Sequence, residues 1–232
     1  MGISKFIYES EIVNSVKSLY MSPEHFINSY KLTVSELEHR LLLNHLIRFN
    51  VPFIFREKPL IFEHIRNYLS YLLDIEIGEI LIIGSSKTGF SMSPTKYGKA
   101  FSEKSDVDFT FVNQKLFNNL KIDFETWRDH YTSKKIQLPS TDKEKELWNE
   151  NLICVNRNIK RGFVDSWKLP NRDCCPHAKQ INNAMYLINL KLKEKFAIIT
   201  NHSSARIYKD FKCFYKQLKL NIDSLVNSHE KL

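Results

Sequence analysis

Apolar positions recur at helical spacing through most of this chain and at strand spacing in only a few short runs. Ser22-Pro23-Glu24 has the form of a helix start, and Thr33-Val34-Ser35-Glu36 resembles a capping box ahead of an apolar-periodic run from Leu37 to Ile47. Between Pro59 and Leu73, residues Ile61, Phe62, Ile65, Tyr68, Leu69 and Leu72 predict a third helix, with Pro59 in its first turn. Two short apolar runs, Ile77 to Ile83 and Val107 to Val112, predict strands. Helical spacing then returns at Leu116, Phe117, Leu120, Phe124 and Trp127, from Ser140-Thr141 through Trp148 toward Val155, and after Cys175-Pro176-His177. Phe196 to Thr200 is a candidate third strand. In the last segment Ile207, Phe211, Phe214 and Leu218 form an apolar stripe beside a basic one of Lys209, Lys212, Lys216 and Lys219. Trp127, Trp148 and Trp167 are expected to anchor the core. The pattern predicts an α+β chain: a helical region over 1–76, a small mixed-sheet core over 77–170 and a basic helical region over 171–232.

The chemistry concentrates between Glu79 and Asn113. An apolar strand ends in Gly84-Ser85, and a second strand opens with Asp106 and Asp108. Residues two apart on a strand share a face, so the two carboxylates stand side by side. Carboxylates that close repel unless a cation lies between them, and hard oxygen donors suit Mg²⁺. Backbone N–H groups and a hydroxyl at the end of a strand are suited to hold a phosphate. Lys87 and Thr88 follow closely enough to be further phosphate contacts, a point charge and a hydroxyl; the alternative is a solvated turn.

A hydrophobic strand, Gly-Ser, then a strand bearing Asp-x-Asp resembles the signature of the nucleotidyltransferase superfamily typified by DNA polymerase beta. The resemblance implies that Gly84 and Ser85 contact a nucleoside triphosphate such as ATP. It also implies that Asp106 and Asp108 bind Mg²⁺ (or Mn²⁺) and carry catalysis. The expected activity is transfer of an NMP to a hydroxyl of RNA, protein or another nucleotide. Small bacterial members of the superfamily include toxin–antitoxin enzymes and cyclic-oligonucleotide synthases of antiviral defence, so a stress or defence role is an expectation of the same kind. Two departures stand out: the connection from Ser85 to Asp106 is longer than the family's usual one, and no third carboxylate is obvious. Asp165 is the late candidate for that third acid; Asp123 is nearer in sequence but falls in what reads as an exposed helix.

Charge sharpens this picture. The chain carries a net +8, yet residues 1–80 sum to −2 and the segment from Asn156 onward to +9. A basic C-terminal third points to a polyanion, whether triphosphate, nucleic acid or both, although solvated lysine-rich helices give the same sum. The inserted segment Gly89 to Lys104 reads as a loop, with Ser91, Ser93, Lys96 and Lys99 as phosphate contacts and Tyr97 or Phe101 as stacking candidates. Cys174-Cys175-Pro176-His177 lacks the spacing of a zinc site and reads as a loop entering a helix. His39, His45 and His64 lack ligand partners at metal spacing. No apolar run approaches the roughly 18 residues of a membrane span. The acids in MGISKFIYESEIVNSV argue against export, and four irregular cysteines suit a reducing cytoplasm. A different class of function fits the same residues: a nucleotide- or nucleic-acid-binding module that keeps the fold without turnover and acts with a partner protein.

Overall fold

A computed structural model describes residues 11–229; the first ten residues, on which the export expectation partly rests, lie outside the described ones. The elements run α1 (Glu11–Ser15), α2 (Pro23–Leu32), α3 (Glu36–Asn44), α4 (Pro59–Leu73), β1 (Ile80–Ile83), α5 (Ser85–Thr88), β2 (Val107–Val112), α6 (Gln114–Thr132), α7 (Asp142–Lys160), β3 (Phe163–Asp165), α8 (Pro176–Phe196), β4 (Ser203–Tyr208) and α9 (Phe211–His229). The architecture is mixed α+β. No helix among the described residues is long and apolar enough to cross a membrane.

Several helix starts follow directly from local chemistry. Ser22 accepts from the His25 N–H, and Thr141 from that of Glu144. Pro59 opens α4 as expected. The capping box sits two residues later than the sequence suggested: Ser35, not Thr33, is the cap, and Glu38 reaches back to it. Thr33 instead gives its hydroxyl to the Tyr30 carbonyl. At α8, the two Asp123 oxygens accept from the Ala178 N–H (2.8 Å) and face His177 Nδ1 (2.9 Å). Asp123 is therefore not an exposed acid; it is 2% exposed and satisfies a helix start.

The sheet has the order β1-β2-β4-β3, with β1–β2 and β4–β3 antiparallel and β2–β4 parallel. The third strand expected at Phe196–Thr200 is not formed. Phe196 closes α8, Ala197 takes a left-handed turn, and the chain re-enters the sheet at Ser203. Ile207 and Lys209 consequently belong to β4 and the turn after it, so the predicted apolar and basic stripes overrun the start of α9. The sheet thus takes an interior strand from the C-terminal segment, a few residues after the place where the sequence suggested one.

Alternation along the strands divides the core in two. Ile80, Ile82, Phe109, Phe111, Val164, Ala205 and Ile207 pack on one side with α4, α6 and α8, around Trp127 and Trp148. Leu81, Val112, Phe163 and Tyr208 pack on the other with α2, α3 and α9. On that second face, two residues along β3 and β4 and four along β2, apolar side chains give way to Asp165, Arg206 and Asp108.

Candidate functional site

The register sets the site. Ile83, the last residue of β1, lies opposite Asp108, so Gly84 is delivered against the Asp108 carboxylate. Gly84 has φ +70° and ψ −161°, a conformation that is essentially reserved for glycine. A Cβ built there would lie 3.1 Å from Asp108 Oδ2. The turn at Gly84 and the Asp108 carboxylate are therefore in direct apposition, and Ser85 and Asp106 line one cleft with them.

Each carboxylate is held by a side chain from around β4. Asp108 Oδ1 accepts from Ser204 Oγ (2.9 Å), its partner in the β2–β4 register. Asp106 Oδ1 accepts from Asn201 Nδ2 (2.9 Å). Burial pushes the Asp108 carboxyl up from its ordinary value; the Ser204 hydrogen bond opposes this, and the neighbouring Asp106 charge adds to it. Desolvation and a like charge are the conditions under which a bound cation stabilises both ionised acids. The donor chemistry fits one hard cation between Asp106 and Asp108. Among the described residues no group of three or more His, Cys, Asp or Glu side chains converges to hold a metal.

Asp165 faces the cleft of about 480 Å³ that Asp106 and Asp108 line, together with Trp167, His202 and Arg206. Its carboxylate is committed, however: Oδ1 accepts from Arg206 Nε at 2.5 Å, and Lys168 Nζ lies 3.6 Å from Oδ2. Burial works against the Arg206 charge, and Asp165 more than restores it, holding the guanidinium above its usual range. On β4, directly opposite Asp108, the chain has the hydroxyl of Ser204 and no acid.

Lys87 and Thr88 are placed differently from the sequence expectation. Both are buried, Lys87 at 2% exposure. The Lys87 ammonium donates to the Asn50 carbonyl, and Thr88 Oγ1 donates to the Gly84 and Phe90 carbonyls. One turn of α5 rotates them away from the acids, so they brace the turn from inside.

The inserted segment is more ordered than a free loop. Phe90 bridges Ala100, and Ser91 and Lys99 pair through their backbones. Tyr97 turns inward, packing edge-on to Phe90 and donating to the Pro23 carbonyl, and so does not serve as an open stacking platform. The segment walls a second cleft of about 620 Å³ that also reaches Gly84, Ser85, Asp106 and Asp108. Lys96, Lys99 and Lys104 line it and are exposed. The carboxylates thus stand between a lysine-rich cleft and one lined by Trp167, His202 and Arg206.

Five contributors were not legible beforehand: Asn201, His202, Ser204, Arg206 and Trp167. Ser204-Ala205-Arg206-Ile207-Tyr208 does alternate polar and apolar, the signal that marks a half-buried strand. Trp167 was expected in the core but is half exposed, with Lys168 Nζ 5.2 Å from its ring. Cys175 is buried ahead of α8, consistent with the structural role read for the Cys-Cys-Pro-His run. No family model, curated protein or solved structure matches the chain.

Proposed function

We propose that this chain is a Mg²⁺-dependent nucleotidyltransferase that moves an NMP from an NTP to an acceptor hydroxyl on RNA, a protein or another nucleotide. The observation that carries this is the apposition of the Gly84-Ser85 turn to the Asp106/Asp108 pair across β1 and β2. Carboxylates alone suit many cation sites. Carboxylates facing a strand-end turn and a cleft with three exposed lysines suit a cation-bound polyphosphate.

The chain's own residues divide the work. Lys96, Lys99 and Lys104 attract the triphosphate, and the Gly84-Ser85 turn sets its position beside the acids. Ser204 and Asn201 fix the rotamers of Asp108 and Asp106, which limits reorganisation when charge develops. A divalent cation bound by those acids supplies neutralisation of the phosphate charge and stabilises the leaving group. The acceptor oxygen forms a bond to the α-phosphorus as the bond to the β-phosphate bridging oxygen breaks; pyrophosphate leaves and the acceptor proton passes to solvent. A setting in bacterial stress or phage defence and a cytoplasmic location belong to the same proposal, resting on resemblance and composition.

One observation favours a second reading. Asp165, the cleft-facing acid nearest the role of third carboxylate, is neutralised by Arg206 and Lys168. A module that binds nucleotide or nucleic acid without turnover, acting with a partner protein, has no need of that acid. The experiment is incubation with each labelled NTP, Mg²⁺ or Mn²⁺, and total RNA or cell extract. Label transfer that disappears in Asp106→Asn and Asp108→Asn supports the enzyme. Measurable nucleotide affinity with no transfer under any of these conditions replaces it with the binding module.

A further inference from the structure

Lys87 is a buried ammonium with no carboxylate partner among the described residues. It is 2% exposed, and burial, with the nearby Arg66 charge, lowers its pKa to about 8. One neutral carbonyl, that of Asn50, accepts from it, which leaves donor capacity on a group that carries three N–H bonds. Buried cations are ordinarily paired, and an unpaired one is costly.

The surroundings add charge of the same sign. Lys87 lines a cavity of about 230 Å³ with Arg48, Arg66 and Asn50, closed by Phe62 and Ile82, and no acid lines it. Arg66 bonds Glu63 through Nη1 (2.8 Å) and the Ile77 carbonyl through Nε and Nη2. Arg48 is exposed and lies over the Phe211 ring at 4.7 Å. A buried lysine and two arginines therefore line one cavity, and the Glu63 carboxylate offsets the charge of Arg66 only. The cavity is smaller than the roughly 300–1,000 Å³ of organic-ligand pockets, a size suited to a small ion. Of its lining residues only Ile47 is shared with the two clefts around Asp106 and Asp108.

We propose that this cavity is an anion site for a single phosphate group, with Lys87, Arg66 and Arg48 supplying the charge. The group is either inorganic phosphate or the terminal phosphate of a monoester, both of which offer a compact dianion with several acceptor oxygens. The site is independent of the activity proposed above and stands whether or not the chain turns over nucleotide.

Calorimetric titration of the full chain with inorganic phosphate, and separately with AMP, tests it at constant ionic strength maintained with chloride. Saturable binding is expected for at least one of the two, and the tighter ligand identifies the source. Lys87→Met, which fills the same space with an apolar side chain, is expected to weaken it at least tenfold, and Arg48→Gln at the exposed mouth severalfold. A triple alanine variant of Lys96, Lys99 and Lys104 is expected to retain it. Absence of saturable heat with both ligands overturns the proposal. So does binding that survives both Lys87→Met and Arg48→Gln, or that vanishes only in the triple variant.

Discussion

Gly84→Ala tests whether the turn beneath the acids is as constrained as its backbone implies. Two penalties arise at one position. At φ +70° and ψ −161° an L-residue is held in a region that costs about 1–3 kcal/mol. The added methyl also meets Asp108 Oδ2 at 3.1 Å, close enough that the carboxylate must shift by a few tenths of an ångström. That side chain can yield by giving up its bond to Ser204, so the backbone dominates the expected loss of about 1–3 kcal/mol. For a chain of this length, each kcal/mol lowers Tm by about 2–4 °C. The assay is urea unfolding followed by circular dichroism, with thermal melts in parallel. Gly78→Ala serves as the internal control, because its Cβ meets nothing within 4 Å and its φ is not positive; it is expected to be neutral or to stabilise by about 0.4–1 kcal/mol. Repeating Gly84→Ala in an Asp108→Ala background removes the contact and leaves the backbone strain, so most of the loss should persist. An unchanged unfolding midpoint for Gly84→Ala refutes the reasoning outright. A loss that disappears in the Asp108→Ala background shows that the contact, and not the backbone, constrains the turn.

Two further outcomes follow from the charges around the cleft. The folded Asp108 pKa lies above its unfolded value, so the ionised acid lowers stability as pH rises through the folded value, and the penalty is absent below the unfolded one. Asp108→Asn is therefore expected to be more stable than the parent at neutral pH. Its advantage should fade on acidification through the carboxylate range, and urea midpoints measured across pH check the sign. Arg206→Met leaves Asp165, 2% exposed, with only the more distant Lys168 as a charge partner among the described residues. A loss of about 3–5 kcal/mol is expected at neutral pH, largely relieved in the Arg206→Met/Asp165→Asn double variant; equal stability of the two variants would refute a buried-charge origin.

The parts of the fold that the sequence revealed are those whose signals are local. Ser22 and Thr141 mark helix starts because the capping oxygen lies within three residues of the N–H it satisfies, and Pro59 because its fixed φ and missing N–H suit a first turn. The alternation Val107-Asp108-Phe109 announced both the strand and the two acids on its edge. What could not be read depends on pairing across long sequence separations. β4 begins with two serines and lies between two long helices, so its local signal is weak and the neighbouring strands make it a strand. Lys87 and Thr88 were misplaced because four residues suffice for a helical turn, and a turn changes which way each side chain points. Asp165 stands out in the sequence as a late acid after two apolar residues, but its pairing with Arg206 is invisible until β3 and β4 are paired.

The position of β4 has a consequence for the order in which the molecule is made. Asp106 and Asp108 emerge from a ribosome well before Asn201 and Ser204, the residues that hold them. Until Ser203–Tyr208 has been synthesised, β2 has a neighbour on one side only, and its open edge is exposed to adventitious pairing. Closing the parallel β2–β4 ladder requires a loop of some ninety residues, the kind of non-local step that slows folding. The carboxylate pair is thus completed late, and a nascent chain halted before Ser203 carries the acids without the side chains that orient them.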